Sequence, residues 1–394
     1  MRGIYTRISR MAMLGLMIAA PSLLFAKDRT ELQVGAVISL TGQNARGGTG
    51  MHEGMQTAVK IYNERQSKYR VRLITVDDES APAKVIAGIA QLSSQKVLAI
   101  AGGATSDLVA PAASTANKVD MVYITSGGTS EEFVQQGYRN FFRINNTFGY
   151  VKAMTGLFEQ MGVKKLSVVY STQKSTYELA RDVTKVMEEI GVEVELHPFD
   201  PAIRDFKPVV NKVKLLDKPD VINVLGYEND YIGFLRAARI LKPNVEAIVG
   251  VWQIANAKMA SEFPDLVQHI SGTEMLPYPV QFTDDEGIAF EKAFKELFNN
   301  KSPDYLNEYG YVQTILLIEA IERAAEKGDL STKAISHEMR QTDRVTLTGR
   351  VVFEDNGDNP YFMPNIGQHQ NGKVVLVYPD EASNGEMVKP GVPW

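Results

Sequence analysis

Short apolar runs rich in β-branched residues alternate along the chain with longer segments whose apolar positions recur every three or four residues. Residues 32–40 read as a strand running into a Gly-rich loop. Residues 49–64 read as a helix with Met51, Met55, Ala58, Val59 and Tyr62 on one stripe. Further strands are expected over 71–76, 97–101 and 121–124, and helices over 82–95 and 106–117, Pro82 being tolerated in a first turn. The pattern then restarts. Helices over 151–161, 177–190, 206–216 and 231–241 alternate with strands over 166–170, 192–196, 221–225 and 247–251, with Gly191 in a C-cap position. Residues 285–340 read as mostly helical, and the tail carries strand-like pieces over 346–353 and 374–378. Strands that lead repeatedly into polar or Gly-rich loops opening helices predict an α/β fold of doubly wound parallel sheets, with ligands at the strands' carboxyl ends. At roughly 100–200 residues per domain, 394 residues predict two such units. No low-complexity linker divides them, which predicts lobes joined by short crossovers.

The N-terminus departs from this pattern. Arg2, Arg7 and Arg10 precede an apolar run over residues 11–20, Pro21 interrupts it, and Leu24-Phe25-Ala26 stands before Lys27. This reads as a secretory signal peptide over residues 1–26, cleaved after Ala26, which places the product in the periplasm. The run is too short for the roughly 20 residues a membrane span needs. With no Cys in the chain, disulfides, thiolate zinc sites, iron–sulfur clusters and Cys nucleophiles are excluded. None of the five His stands at metal-binding helical spacing, so no metal is expected. A formal charge of -5 argues against nucleic acid as a partner.

Motifs for enzymatic chemistry are incomplete. The glycines Gly47, Gly48, Gly50 and Gly54 follow a strand and open a helix, but the third position of a dinucleotide fingerprint is Glu53, whose charge would repel a phosphate. No P-loop and no nucleophile elbow occurs, and the pair Asp77-Asp78 is more simply a solvated turn than an acid–base pair. No cofactor is expected. Binding loops fit better. Three polar loops after successive strands carry Arg46-Gly47-Gly48, Thr105-Ser106 and Gly127-Gly128-Thr129. Ser106 and Thr129 stand at or just before helix starts, where hydroxyls and free backbone N–H groups can hold a carboxylate, or serve as ordinary N-caps.

These residues, in order, carry a resemblance: Val34-Gly35-Ala36 before Thr41-Gly42, Val76-Asp77-Asp78, Ala101-Gly102 before Ser106, Ile124-Thr125-Ser126 before Thr129, Gly137-Tyr138 before Phe142-Arg143, Pro219-Asp220-Val221 before Gly226, and Phe353-Glu354 with Gly357-Asp358. Over most of its length the chain resembles the type I periplasmic solute-binding proteins of ABC importers, in the leucine/isoleucine/valine-binding branch. The resemblance implies two α/β lobes, residues 27–146 with 277–346 and residues 147–276 with 347–394. Three crossovers would join them near 145–147, 276–278 and 346–349. It implies a non-enzymatic, monomeric receptor that closes by a hinge on a small carboxylate-bearing ligand and delivers it to an inner-membrane ABC permease. A sensor for a signalling receptor, or a nucleotide-using enzyme on the same fold class, are the alternatives.

Residue by residue, the resemblance implies that Ser106 and Thr129, with the amides of Gly127 and Gly128, hold the carboxylate, and that Tyr227 closes from the second lobe. Gly47 and Ser175 stand where aromatic residues are expected, and Ser80 and Thr105 where a cysteine pair is expected. The acid that would pair with an α-ammonium is replaced by Val251-Trp252-Gln253. Either Glu228, beside Tyr227, supplies that charge from the neighbouring loop, or the ligand has no amine and Trp252 stacks on a flat carboxylate, with Arg46 or Glu228 closing on the rest.

Overall fold

The computed structural model describes residues 29–394. The segment read as an export signal lies outside the described residues. The first α/β unit runs β1 (Thr30–Ile38), α1 (Ala45–Glu64), β2 (Tyr69–Asp77), α2 (Pro82–Ser94), β3 (Ala99–Gly102), α3 (Ser106–Lys118), β4 (Tyr123–Thr125), the single turn α4 (Glu132–Gln135) and β5 (Phe141–Arg143). The second runs α5 (Thr147–Met161), β6 (Lys165–Ser171), α6 (Lys174–Glu189), β7 (Glu193–Phe199), α7 (Lys207–Lys212), β8 (Val221–Leu225), α8 (Glu228–Leu241), β9 (Ala247–Gly250), α9 (Ala257–Glu262), α10 (Pro264–Val267) and β10 (Ser271–Glu274). The chain then forms α11 (Asp285–Leu297), α12 (Tyr305–Glu326), α13 (Thr332–Arg340), β11 (Asp343–Thr346), β12 (Gly349–Val352), β13 (Asn365–Gln370) and β14 (Lys373–Tyr378).

The first sheet has the order β2-β1-β3-β4-β5 and is parallel throughout. The second has the order β14-β13-β10-β9-β8-β6-β7. It is parallel from β10 to β7, with β13 and β14 added antiparallel. Parallel strands are covered on both faces, which is why β3, β8 and β9 are buried along their whole length. Three elements escape the hydrophobic pattern: β5, β10 and β13. Strand β10 is Ser-Gly-Thr-Glu and β13 is Asn-Ile-Gly-Gln-His-Gln, yet both are largely buried. Several of their polar side chains bond within the protein, although Ser271 Oγ and His369 Nδ1 find no partner. Gln368 Nε2 donates to His269 O and Val388 O at 3.0 Å, and the His369 ring lies 2.7 Å from Ile254 O.

Helix α1 begins at Ala45, a turn earlier than the pattern suggests, because the glycines read as a loop are its first turns. They permit close approach. A Cβ on Gly48 would lie 2.0 Å from Ser39 O, and one on Gly54 1.9 Å from Asn307 O. Helix α12, buried over most of its length, lies against α1 at Gly50 and Gly54, while Gly48 lets α1 approach Ser39. The glycines therefore serve helix packing and not a phosphate.

The chain passes between the sheets after β5 through residues 144–146 and after β10 through residues 275–284. The third passage, expected at 346–349, comes later. Residues 346–349 close the β11–β12 hairpin, and the chain reaches the second sheet through residues 353–364. The first and third passages are tied by Arg143, whose side chain is fully buried. Its Nε and Nη2 donate to the two oxygens of Asp358 at 2.7 and 2.8 Å, and its Nη1 donates to Thr129 O and Ser130 O at 2.9 and 2.8 Å. Glu131 takes a further bond from Nη2 at 3.1 Å.

Arg143→Met would leave Asp358 and two carbonyls without their donor. We expect a loss of roughly 3–5 kcal/mol in denaturant unfolding, which Arg143→Lys, lacking the planar fork, would recover only in part. A second expectation concerns Glu308 on α12, whose carboxyl is fully buried with both oxygens unpartnered. Burial first, then Glu274, Asp304 and Asp284 nearby, push its pKa well above the ordinary 4.5. A carboxyl raised on folding costs nothing below the unfolded value, and stability falls as pH climbs above about 4.5. Glu308→Gln should therefore melt higher than the parent at neutral pH, with the two melting curves converging at pH 4.

Candidate ligand-binding cleft

The two sheets share one topology. In the first, β1 lies between β2 and β3. In the second, β6 lies between β7 and β8. At such switch points the loops beyond the carboxyl ends diverge and leave a crevice. The loops after β1, β3 and β4 face those after β6, β8 and β9 across a cavity of about 710 Å³, a size usual for small-ligand sites.

On the first-sheet side the loops are clamped by their own polar residues. Asp77 accepts from Leu40 N at 2.9 Å and from the Thr41 hydroxyl at 2.8 Å, and the buried Asp78 accepts from Ser39 Oγ at 2.6 Å. The acid pair is therefore a loop clamp, and Asp78 is not solvated. Ser80 joins it by donating to Thr41 O at 2.8 Å. Thr105 is the extended N-cap residue of α3 and makes no side-chain cap bond, while Ser106 is the first helical residue. Both line the cavity, as does Thr129. Thr129 is held through its carbonyl, which accepts from Arg143 and from Thr147 N and Oγ1 at 3.1 and 2.9 Å. The hydroxyls Ser106 Oγ and Thr129 Oγ1 are buried and have no partner in the protein. The N-cap alternative for them does not hold, and two donors remain beside the amino end of α3, where the helix dipole favours an anion.

The two glycines of the third loop differ from expectation. Gly127 lines the cavity, but its N–H donates to Thr125 Oγ1 at 3.0 Å. Gly128 faces away, and a Cβ there would meet Val109 at 2.6 Å. The turn after β4 thus takes up the Gly127 amide, and Gly128 is buried beside Val109.

On the second-sheet side, the buried Tyr231 hydroxyl donates to Val251 O at 2.6 Å and accepts from Gly226 N at 3.2 Å, fixing the loops after β8 and β9 together. These loops present Tyr227 and Trp252, stacked with ring centroids 5.4 Å apart at 26°. Trp252 also meets the edge of Tyr150 at 6.0 Å. Its backbone is left-handed, with φ of 55°, and its N–H donates to Thr273 Oγ1 at 2.9 Å. A bulky residue in that region is strained, and such strain gathers at functional sites. Trp252 thus forms an aromatic wall of the cavity. Ser175, at the start of α6, and Gly47 also line it, and beyond Gly47 a Cβ would meet nothing within 4 Å.

Charges cross the mouth. Arg46 on α1 forms an ion pair with Glu228 on α8, and Lys258 reaches the same carboxylate at 2.6 Å. Glu228 is therefore matched twice over and is not free to meet an ammonium. Asp230 accepts from Tyr227 N at 3.0 Å. Burial pushes the Tyr150 hydroxyl up to about 12. It lies 2.8 Å from the Tyr309 hydroxyl and 3.2 Å from Asn145 Nδ2. Asn145, Tyr150, Tyr305 and Tyr309 line the cavity without having been singled out in the sequence, and Gln253 was singled out only as a departure. Asn145 lies in the first passage, where the expected crossover at 145–147 was the one available signal. The tyrosines of α12 carried none, since they look like core positions. Among the described residues, no group of three His, Cys, Asp or Glu is placed to hold a metal ion, and no helix is long and apolar enough to cross a membrane.

Comparison with known proteins agrees with this architecture. The periplasmic binding protein family model matches residues 31–363. A Leu/Ile/Val-binding protein homolog 7 from Brucella abortus (strain 2308) is 20% identical, covering 96% of this chain and 99% of that protein. The substrate-binding protein LivJ from Streptococcus pneumoniae, solved with isoleucine, has a TM-score of 0.75 at 22% identity, covering 92% of this chain and 100% of LivJ. An ABC transporter solute-binding protein from R. palustris, solved with benzoate, has a TM-score of 0.77 at 19% identity, covering 88% of this chain and 95% of that one. These relatives are binding proteins, and theirs is a family of exported proteins. With its two sheets, its interleaved passages and a family match over most of its length, the chain belongs to the periplasmic binding proteins and has the type I fold of the leucine/isoleucine/valine-binding family.

Proposed function

We propose that this protein is the extracytoplasmic substrate-binding component of an ABC importer, and that it captures a small carboxylate between its lobes. The observation that carries this reading is the pair of buried, unpartnered hydroxyls Ser106 Oγ and Thr129 Oγ1 at the cavity wall. Buried donors without acceptors are rare and costly, and a carboxylate would accept from both. The charged groups along the cavity lean the same way, with Arg46, Arg204 and Arg236 against Glu228 and Asp230. Isoleucine and benzoate, held by two relatives, share a carboxylate and little else.

In this reading the signal peptide is removed after Ala26 and the mature chain works in the periplasm as a monomer, docking on an inner-membrane permease. The lobes rotate about the three passages. Arg46 and Glu228 belong to opposite sides of the cleft, so their ion pair exists only in the closed state and adds to the differential contacts that drive closure.

Calorimetric titration with amino acids, aryl carboxylates and their uncharged esters tests the reading. Carboxylates should bind and raise the melting temperature, with a stabilisation of about 2.7 kcal/mol at a hundredfold excess over Kd, and the esters should fail. Ser106→Ala combined with Thr129→Ala should weaken binding by roughly tenfold or more through lost charge-assisted bonds. Unchanged affinity in the folded double variant would remove these residues from the site.

A further inference from the structure

We infer that the ligand carries a neutral amide as well as its carboxylate, and that the carboxamides of Gln253 and Asn145 recognise it. This rests on the carboxylate reading above and deepens it.

Three observations converge. First, the acids within reach are already matched. Glu228 is shared by Arg46 and Lys258, and Asp230 accepts from Tyr227 N. Behind the wall, Glu274 ends β10 with its carboxylate accepting from Met275 N at 2.7 Å. Among the described residues, Glu228 is ion-paired and Asp230, the other carboxylate lining the cavity, is engaged by the Tyr227 amide, so no carboxylate is set aside for an ammonium, and a buried ammonium without a dedicated partner is costly.

Second, two neutral carboxamides stand there unsatisfied. Asn145 is 2% exposed, and Gln253 directly follows Trp252. Asn145 Oδ1 and Gln253 Oε1 are buried without a hydrogen-bond partner, and both residues line the cavity. The contact between Trp252 and Tyr150, together with the bond from Asn145 Nδ2 to the Tyr150 hydroxyl, links Asn145 to the loop that carries Gln253. A carboxamide offers one acceptor and one donor group, so its natural complement is another amide. That match survives exchange of the side chain's oxygen and nitrogen.

Third, there is room. Gly47 and Ser175 keep the wall open where larger side chains would fill it, and about 710 Å³ is more than a branched-chain amino acid requires. The carboxylate at Ser106 and Thr129, an amide at Gln253 and Asn145 and an apolar or aromatic group on Trp252 together describe an N-acylated amino acid or a similar amide-bearing carboxylate.

Two matched pairs of probes test this on the mature chain by calorimetric titration: leucine against N-acetyl-leucine, and benzoate against N-benzoylglycine. The acylated member of each pair should bind at least about tenfold more tightly, because a site with unpaired polar groups rejects an analogue that cannot satisfy them. Gln253→Glu, close in shape, should shift the ratio toward leucine by about tenfold or more by restoring a charge for its ammonium, and Gln253→Leu should erase the preference for the acylated members. Circular dichroism and melting confirm that each variant folds. If leucine binds the parent as tightly as N-acetyl-leucine, or Gln253→Glu leaves the ratio unchanged, the amide inference is wrong and the carboxylate reading stands. If none of the four probes binds the folded parent, the carboxylate reading fails and takes this inference with it.

Discussion

Arg143 is the constraint on which the rest of the molecule depends. It ends β5, the last strand of the first sheet, and its buried guanidinium spends its donors on groups from two separate stretches of chain. Asp358 lies in the third passage between the sheets, only as the chain turns toward β13. Thr129 and Ser130 lie in the loop after β4. One side chain thus fixes the geometry of two passages and, by gripping Thr129 through its carbonyl, leaves that residue's hydroxyl turned to the cavity. A guanidinium suits this task because its planar fork meets a carboxylate with two parallel bonds while a third nitrogen reaches elsewhere.

The cleft follows from two identical topological choices. Each sheet reverses direction beside its first strand, so each carries a crevice at its carboxyl edge, and the passages turn the crevices toward each other. The first-sheet side is polar and rigid, organised by Asp77, Asp78 and Arg143. The second-sheet side is aromatic, organised by Tyr231 beneath Tyr227 and Trp252. In the function proposed above, one half would offer hydroxyls and a helix end to the carboxylate, and the other ring faces to the rest of the ligand.

Much of this was legible in the sequence, and the reason for each gap is physical. Parallel strands such as β8, buried on both faces, are continuous apolar runs that announce themselves. The polar strands β10 and β13 do not: Gln368 and His369 of β13 bond distant carbonyls and Thr273 of β10 accepts from Trp252 N, contacts that no local pattern records. Thr105, Ser106 and Thr129 could be picked out by their places after strands, and Tyr227 and Trp252 only by the family resemblance. Asn145 and Tyr309 could not, since the one lies in a connection and the other on a helix that reads as core. The fate of Glu228 was also hidden. Its partners Arg46 and Lys258 lie 182 positions before it and 30 after it in the chain, and only the folded arrangement shows that its charge is spent. The glycines of α1 misled for the opposite reason, since a run that suggests a phosphate loop instead lets one backbone touch another.

The backbone of Trp252 carries a wider consequence. A left-handed conformation costs a bulky side chain about 1–2 kcal/mol, and glycine would adopt it freely. The residue best suited to folding at that position is therefore not the one present. Keeping an indole there gives up stability for an aromatic wall on the cavity, the surface that the proposed function would use. Variants selected only for robustness would tend to lose Trp252 first, and with it the feature that sets this cleft apart from one built around an acid.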